Sequence, residues 1–390
     1  MKRSTDRILT THTGSLPRPP DLLDLLEAKE SGRPYDQRAL NERIRSAVAE
    51  VVRQQAEAGV DIVSDGELGK PSFVMYVHNR LSGMEGLNPQ ATLNIFPDFP
   101  DYLAWRAAAR GTSPPLMPAG VGWPECIGPL GWKDKDALQA DIDAFKAALQ
   151  GVSVEEAFLP AASIGIIAQR IKNKYYPTYE EYVDALAEVM KEEYRAITDA
   201  GFLLQIDAPE MVMDRNSPEF IDKPLEEYRD RMNLWVDALN TALAGIPEEK
   251  VRFHICWGNR EGPHTLDVPL KDVVDIMLRV NAGAYSVEAC NPRHAHEWKV
   301  WRDTKLPDGK ILIPGVLDST TNFVEHPELV ADRIVTYANL VGRENVIAGT
   351  DCGFATTAFG TYLVYPPIVW AKFQALAEGA RLATKQLWGR

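Results

Sequence analysis

The sequence has no run of apolar residues approaching the roughly 20 that a helix needs to cross a bilayer. Its first residues, MKRSTDR, lack the apolar stretch of a signal peptide. Both absences lead to the expectation of a cytoplasmic protein that does not enter a membrane. No basic run offsets a formal net charge of -13, which argues against nucleic acid or an anionic lipid surface as a partner. Cysteine is scarce, limited to Cys126, Cys256, Cys290 and Cys352. In a reducing compartment these read as free thiols or metal ligands rather than a disulfide framework. No low-complexity tract or linker divides the chain. With 390 residues and a 45% hydrophobic share there is ample material for a large core. A single domain over residues 1–390 is expected, with residues 1–40 as an N-terminal extension.

What the chain does have is a repeated pattern. A helix ends at or near glycine, a short apolar run follows, polar or Gly/Pro residues come next, and another helix begins. The apolar runs fall at 61–64, 117–121, 157–161, 202–206, 251–256, 284–288, 311–317 and 346–350. Helical patterns fall at about 41–58, 137–149, 179–200, 225–244, 270–280, 327–341 and 367–387. Strands alternating with helices predict a parallel sheet. Eight such units predict a (β/α)8 barrel, with an open doubly wound sheet as the structural alternative. Residues 85–115, rich in proline and aromatics such as Phe96, Phe99, Tyr102 and Trp105, break the rhythm. They predict an insertion after the first strand.

A barrel places its chemistry at the C-terminal ends of its strands. The first predicted strand ends in Asp65-Gly66-Glu67 and the fourth in Asp207-Ala208-Pro209-Glu210. The fifth ends in His254 and Cys256, the sixth in Glu288, the seventh in Asp318 and the eighth in Asp351-Cys352. Strand-end aspartates also cap helices, yet one rim gathers most of the ligand-type residues. Side chains at i and i+2 of a strand share a face, so His254 and Cys256 aim at the same spot. Alone, a His-x-Cys pair is more often core than ligand. Glu288 and Cys352 complete a set of one imidazole, two thiols and a carboxylate, which suits zinc in kind. Glu288 has a rival role as a carboxylate that orients a ligand. His12 either packs the N-terminal segment or meets a substrate. His294 and His296 follow the sixth strand and are within reach of the site mouth, although an exposed loop is the plainer reading.

These residues, in this order, resemble the C-terminal catalytic domain of cobalamin-independent methionine synthase. His254-x-Cys256, Glu288 and Asp351-Cys352-Gly353 resemble its zinc-binding motifs. The segment THTGSLPR, which contains His12 and Ser15, resembles its N-terminal substrate-contacting segment. Asp65-Gly66-Glu67 and Gln205-Ile206-Asp207-x-Pro209 resemble motifs whose acidic residues contact the amino-acid thiol. The resemblance covers nearly the whole chain and implies a (β/α)8 barrel, bound Zn2+ and thiol alkylation. There are departures. The chain has no room for the extra N-terminal barrel of the long synthases. Ala208 stands where the family commonly has an acidic residue, with Glu210 displaced, and residues 68–73 differ as well. The layout is also similar to that of epoxyalkane:coenzyme M transferase.

The chemistry implied is specific. A free thiol has a pKa of about 8.5, and metal coordination deprotonates it at neutral pH. The resemblance therefore implies a small thiol attacking a methyl or other electrophilic carbon to form a thioether, with homocysteine and 5-methyltetrahydrofolate as the family's pair. The leaving group needs an acid, for which Asp207, Glu67 and His294 are candidates. By resemblance, Asp207 and Glu67 anchor a substrate ammonium. A rival reading is epoxide opening by a thiol that carries a sulfonate, which would call on Arg18, Lys70, Arg170 or Arg293. A zinc-free decarboxylase of the uroporphyrinogen type is disfavoured by the ligand set. A non-catalytic zinc protein is disfavoured by ligands spread over separate strands. A homo-oligomer stays open.

Overall fold

The computed structural model describes the chain except for residues 89–97, 111–116, 119–120, 361 and 390. Eight strands form one parallel sheet: β1 (Leu9–Thr10), β2 (Ile62–Ser64), β3 (Glu156–Ala162), β4 (Leu203–Asp207), β5 (Val251–Ile255), β6 (Ala284–Val287), β7 (Ile311–Leu317) and β8 (Ile347–Thr350). Their order is β1-β8-β7-β6-β5-β4-β3-β2. A parallel bridge between Thr11 and Ile62 joins the two ends of that order, so the sheet closes into a barrel. The strands read as apolar runs because both faces are buried. One face packs on helices. The other builds an apolar floor inside the barrel from Leu9, Ile62, Phe158, Leu203, Ala284, Ile311, Ile313 and Ile347.

β5 contributes something different to that interior. Its inward positions alternate as Arg252, His254 and then Cys256 just past the strand end. Arg252 is fully buried with its guanidinium 4.0 Å from the centre of the Phe158 ring. It donates to Thr11 Oγ1 at 2.9 Å and to the His12 carbonyl at 2.8 Å. The buried cation thus ties β5 to the N-terminal segment directly beneath the rim.

Six long helices flank the barrel: α1 (Gln37–Glu57), α2 (Lys135–Ala148), α3 (Tyr179–Asp199), α4 (Leu225–Ala242), α5 (Pro327–Val341) and α6 (Pro366–Trp388). Their starts carry the expected chemistry. Asp36 accepts from the first-turn amides of α1, and Thr178 accepts from Glu181 N–H at the start of α3. The helix expected at 270–280 shortens to a 3-10 turn, Leu270–Asp272, and a single α turn, Val274–Met277.

Two expectations change. Residues 1–40 are not merely an extension, because Leu9–Thr10 supplies a barrel strand hydrogen-bonded to β8. The run at 117–121, read as the second barrel strand, lies partly outside the described residues, and the place beside β2 in the sheet is taken by β3. Residues 119–120 lie outside the described residues, and the described neighbours carry no strand. The insertion is present and larger than expected. Leu81–Asn88 and Trp123–Trp132 pair antiparallel, and Lys172–Asn173 adds a third strand to that small sheet.

Candidate active site

The barrel register sets the first level of the site. Asp207 on β4 is paired with His254 on β5, which is paired with Ser286 on β6. Three interior side chains therefore stand side by side. Ser286 Oγ lies 3.2 Å from His254 Nδ1, while His254 Nε2 is buried with no hydrogen-bond partner. Above it, the sulfurs of Cys256 and Cys352 are 3.6 Å apart, although the residues are 96 positions apart in sequence. One ligand atom each from His254, Cys256 and Cys352 lies within 4.8 Å of the others, and all three residues are buried.

This group fits a tetrahedral, thiophilic ion. With Zn–S bonds of about 2.3 Å, two sulfurs on one tetrahedron sit about 3.8 Å apart. An imidazole nitrogen without a partner, its other nitrogen held by a hydroxyl, is the arrangement a ligating histidine needs. The hydrogen bond between the two sulfurs holds the Cys256 thiol well below its ordinary pKa and pushes that of Cys352 well above.

Glu288, expected as the fourth ligand, lies outside this group. Its Oε2 accepts from the Trp257 backbone N–H at 2.9 Å and so fixes the turn that follows Cys256. Burial raises its pKa well above the usual carboxylate range, and the nearby Cys256 and Asp351 charges add to that. Asp351 performs a similar task between β8 and β6. Its carboxylate accepts from the backbone N–H groups of Ala289, Cys290 and Asn291 at 2.8–3.0 Å. The loop bearing Cys352 is thereby pinned to the loop after Glu288.

Glu67 and Asp207 bring negative charge to the same rim. Glu67 is buried, and neither of its carboxylate oxygens has a hydrogen-bond partner. Its nearest cation is Lys70, whose Nζ is 3.8 Å away and donates instead to the Pro160 carbonyl at 2.5 Å. The backbone of Glu67 has φ +56°, a conformation that non-glycine residues adopt only when the surroundings enforce it. Asp207 accepts from Gln205 Nε2 at 2.7 Å. Burial pushes its pKa up to about 7, the facing His254 lowers it, and Glu67 raises it further.

The remaining expected residues are placed as follows. Ser15 lies against the Cys352 loop, where a β-carbon on Gly353 would meet Ser15 Oγ at 2.0 Å. His12 is turned away from the ligand group. Its Nε2 is 2.7 Å from Gln55 Oε1 on α1, its Nδ1 accepts from the Gly14 N–H, and its ring packs between Phe158 and Phe373. Burial lowers its pKa to about 3, so it packs as a neutral ring. His294 is buried rather than exposed, and both ring nitrogens face carboxylates. Among the described residues, Ser286, Gln205 and Asn259 also shape the site. Gln205 bonds both the Thr13 carbonyl and Asp207. Asn259 donates to the Gly353 carbonyl at 2.6 Å and accepts from Ser319 Oγ at 2.9 Å. The i, i+2 spacing of Gln205 and Asp207 is legible in the sequence motif, whereas Ser286 and Asn259 carry no such mark, because their partners come from other strands and loops.

Comparison with known proteins agrees with this architecture. Residues 8–92 match the family model described as cobalamin-independent synthase, catalytic domain. A methionine synthase of Thermococcus kodakarensis is 25% identical over 381 residues, covering 97% of this chain and 94% of its own. A methionine synthase of Sulfurisphaera tokodaii is 24% identical over 379 residues, covering 97% of this chain and 93% of its own. The fold matches that of a B12-independent methionine synthase from Shewanella, with a TM-score of 0.71 at 21% identity over 98% of this chain and 100% of that one. From the barrel, the rim motifs and these relatives together, the chain is similar over nearly its whole length to cobalamin-independent methionine synthases and shares their fold.

Proposed function

We propose that the chain is a zinc-dependent methyl- or alkyltransferase acting on a small amino-acid thiol, with homocysteine and a methyl-folate donor as the leading pair. The observation that carries this reading is the His254–Cys256–Cys352 group, with its 3.6 Å sulfur pair and partnerless imidazole nitrogen. His254, Cys256 and Cys352 would hold the ion, and Glu288 would set the turn after Cys256. When bound, zinc supplies a Lewis acid that keeps an incoming thiol ionised at neutral pH. Curated relatives named methionine synthase support the reaction class.

The chain's own residues do the rest. Glu67 offers two buried carboxylate oxygens without hydrogen-bond donors, its nearest cation being Lys70 at 3.8 Å, and such oxygens are costly unless a donor meets them. A substrate ammonium is the group they suit, with Asp207 as the second anchor. In the alternative role Asp207, whose pKa is raised to about 7 by burial, gives up a proton near neutrality and leaves the ammonium to Glu67. Glu67, whose buried oxygens meet no hydrogen-bond donor, is assigned the anchoring role. His294 is held at both nitrogens by carboxylates and so serves less well as the acid.

The cations that a sulfonate-bearing thiol would require are engaged elsewhere. Arg18 donates to the carbonyls of Ala355, Glu67 and Lys70 at 3.0, 2.7 and 2.9 Å. Arg170 pairs with Asp214 at 2.9 Å, and Arg293 donates to the Thr265 carbonyl at 3.0 Å. An acidic rim therefore favours the ammonium-bearing thiol over coenzyme M. The test pairs metal analysis with a substrate panel: homocysteine or coenzyme M, each with methyl-folate and epoxide donors. Zinc at one equivalent in the thiolate group and consumption of homocysteine are expected. Consumption of coenzyme M alone would replace this reading with the epoxide-opening one. Cys256→Ser should lose that zinc and the activity together, and full retention of the zinc would remove Cys256 from the ligand set.

A further inference from the structure

A second cluster stands outside the thiolate group, on the loops that follow β5 and β6. His264 Nδ1 lies 2.7 Å from Asp267 Oδ2, and His294 Nε2 lies 3.0 Å from the same oxygen. The ligand atoms of these three residues all fall within 4.8 Å of one another. The outer nitrogens are equally ordered. His264 Nε2 is 3.0 Å from the Arg260 carbonyl, and His294 Nδ1 is 2.9 Å from Glu297 Oε2. Asn216 Nδ2 donates to Asp267 Oδ1 at 3.1 Å. Glu297 Oε1 is engaged by the Leu270 N–H at 2.7 Å.

A carbonyl can only accept, so His264 Nε2 carries the proton there. In a neutral ring its Nδ1 is then a lone pair facing a carboxylate oxygen, which is repulsive. The same holds for His294 if Nδ1–H points to Glu297. With both carboxylates ionised, two arrangements remove the conflict. Either both rings carry a second proton, or one divalent cation sits among Nδ1, Nε2 and Oδ2. The two are equal in charge, since two protons or one 2+ ion balance Asp267 and Glu297. The surroundings are those of a metal site. A ligating histidine almost always gives its other N–H to a carbonyl or a carboxylate, and here one does each. Ligand atoms about 2.1 Å from a common ion sit roughly 3.0–3.4 Å apart; the 3.0 Å from His294 to Asp267 matches this, and the 2.7 Å from His264 would widen slightly around an ion. His264 also holds φ +52°, a conformation that costs energy at a non-glycine position and that turns the ring into the cluster.

We infer that His264, Asp267 and His294 form a second metal site for a divalent first-row transition ion bound through nitrogen and oxygen. The two-His, one-carboxylate donor set excludes the thiophilic preference of the first group and suits neither calcium nor magnesium, which take oxygen ligands. The His294 ring stacks on Trp257 at 3.8 Å and 18°, and Trp257 directly follows Cys256. The second ion would therefore clamp the loop on which the thiolate group depends.

The test is anaerobic titration of the metal-free, full-length chain with Co2+, reading bound ion by metal analysis and thiolate ligation by its sulfur-to-cobalt absorption. The wild-type chain should bind two equivalents, one of them with the sulfur band. Cys256→Ser/Cys352→Ser should keep one equivalent without that band. His264→Asn, which tolerates the left-handed backbone, should keep one equivalent with the band intact. Should circular dichroism show His264→Asn unfolded, Asp267→Asn carries the same expectation. Saturation of the wild-type chain at one equivalent, unchanged by either substitution, overturns the site and leaves a doubly protonated histidine network. Because the two groups are read by separate signals, loss of the sulfur band alone counts against the thiolate group and not against this one.

Discussion

Single residues at the rim do separable work. Glu67→Gln removes one charge but keeps shape, so it should weaken binding of an amino-acid thiol by about 2 kcal/mol, roughly 30-fold. Bound zinc should stay unchanged, and binding calorimetry with metal analysis checks both. Glu210 shows what a buried carboxyl costs when it holds no ion. Burial raises its pKa to about 8, while its 2.5 Å contact to Ser163 Oγ pulls the other way. The folded chain then keeps a proton that the unfolded chain releases above a pKa of about 4.3. Stability from this group is full below that value and falls as pH rises toward 8. Glu210→Gln should flatten that decline, by a few kcal/mol at most near pH 8. Thermal unfolding of both chains from pH 5 to pH 8 measures it. An unchanged slope would show that Glu210 ionises normally.

Loops and strands set the geometry that these residues use. The alternation of β5 sends Arg252, His254 and Cys256 to one interior column, which is why the His-x-Cys spacing could be read as a shared direction. The role of Glu288 could not be read that way, because its partner is a backbone amide on another loop. Glu288→Gln should weaken metal affinity about tenfold, as loss of an orienting carboxylate does, whereas Cys256→Ser should abolish binding. Equal losses in competition with a chelator would make Glu288 a direct ligand. Gly353 allows the Cys352 loop to lie against Ser15. Gly353→Ala places a β-carbon 2.0 Å from Ser15 Oγ and should cost about 1–3 kcal/mol. Adding Ser15→Ala removes that oxygen and should recover part of the loss, a coupling that a double-mutant cycle reads directly.

At the scale of the whole molecule, closure is the decisive property. β1 pairs with β8, and Thr11 bridges to Ile62. Without the first strand, two edges would face solvent with unpaired backbone groups, and Arg252 would lose both hydrogen-bond partners inside the barrel. Removal of residues 1–15 should therefore abolish cooperative unfolding rather than trim an appendage, as circular dichroism during heating would report. A cooperative transition in the shortened chain would mean that the sheet stands open without β1.

Periodicity and strand-end chemistry were enough to read an eight-stranded barrel and to nominate His254, Cys256 and Cys352, since alternation and apolar runs are local properties. Local patterning could not place Leu9–Thr10 in the barrel, because strand identity depends on a partner far along the chain. It could not turn His12 inward or outward either, for that depends on Gln55 and on the rings of Phe158 and Phe373. Nor could it join His264, Asp267 and His294, which sit on two loops and meet only when β5 and β6 are side by side. Which residue types the chain carries, and in what rhythm, belongs to the sequence. Which of them share a volume of a few ångströms is decided by barrel closure and register, because hydrogen bonds and ligand sets act through space rather than along the chain.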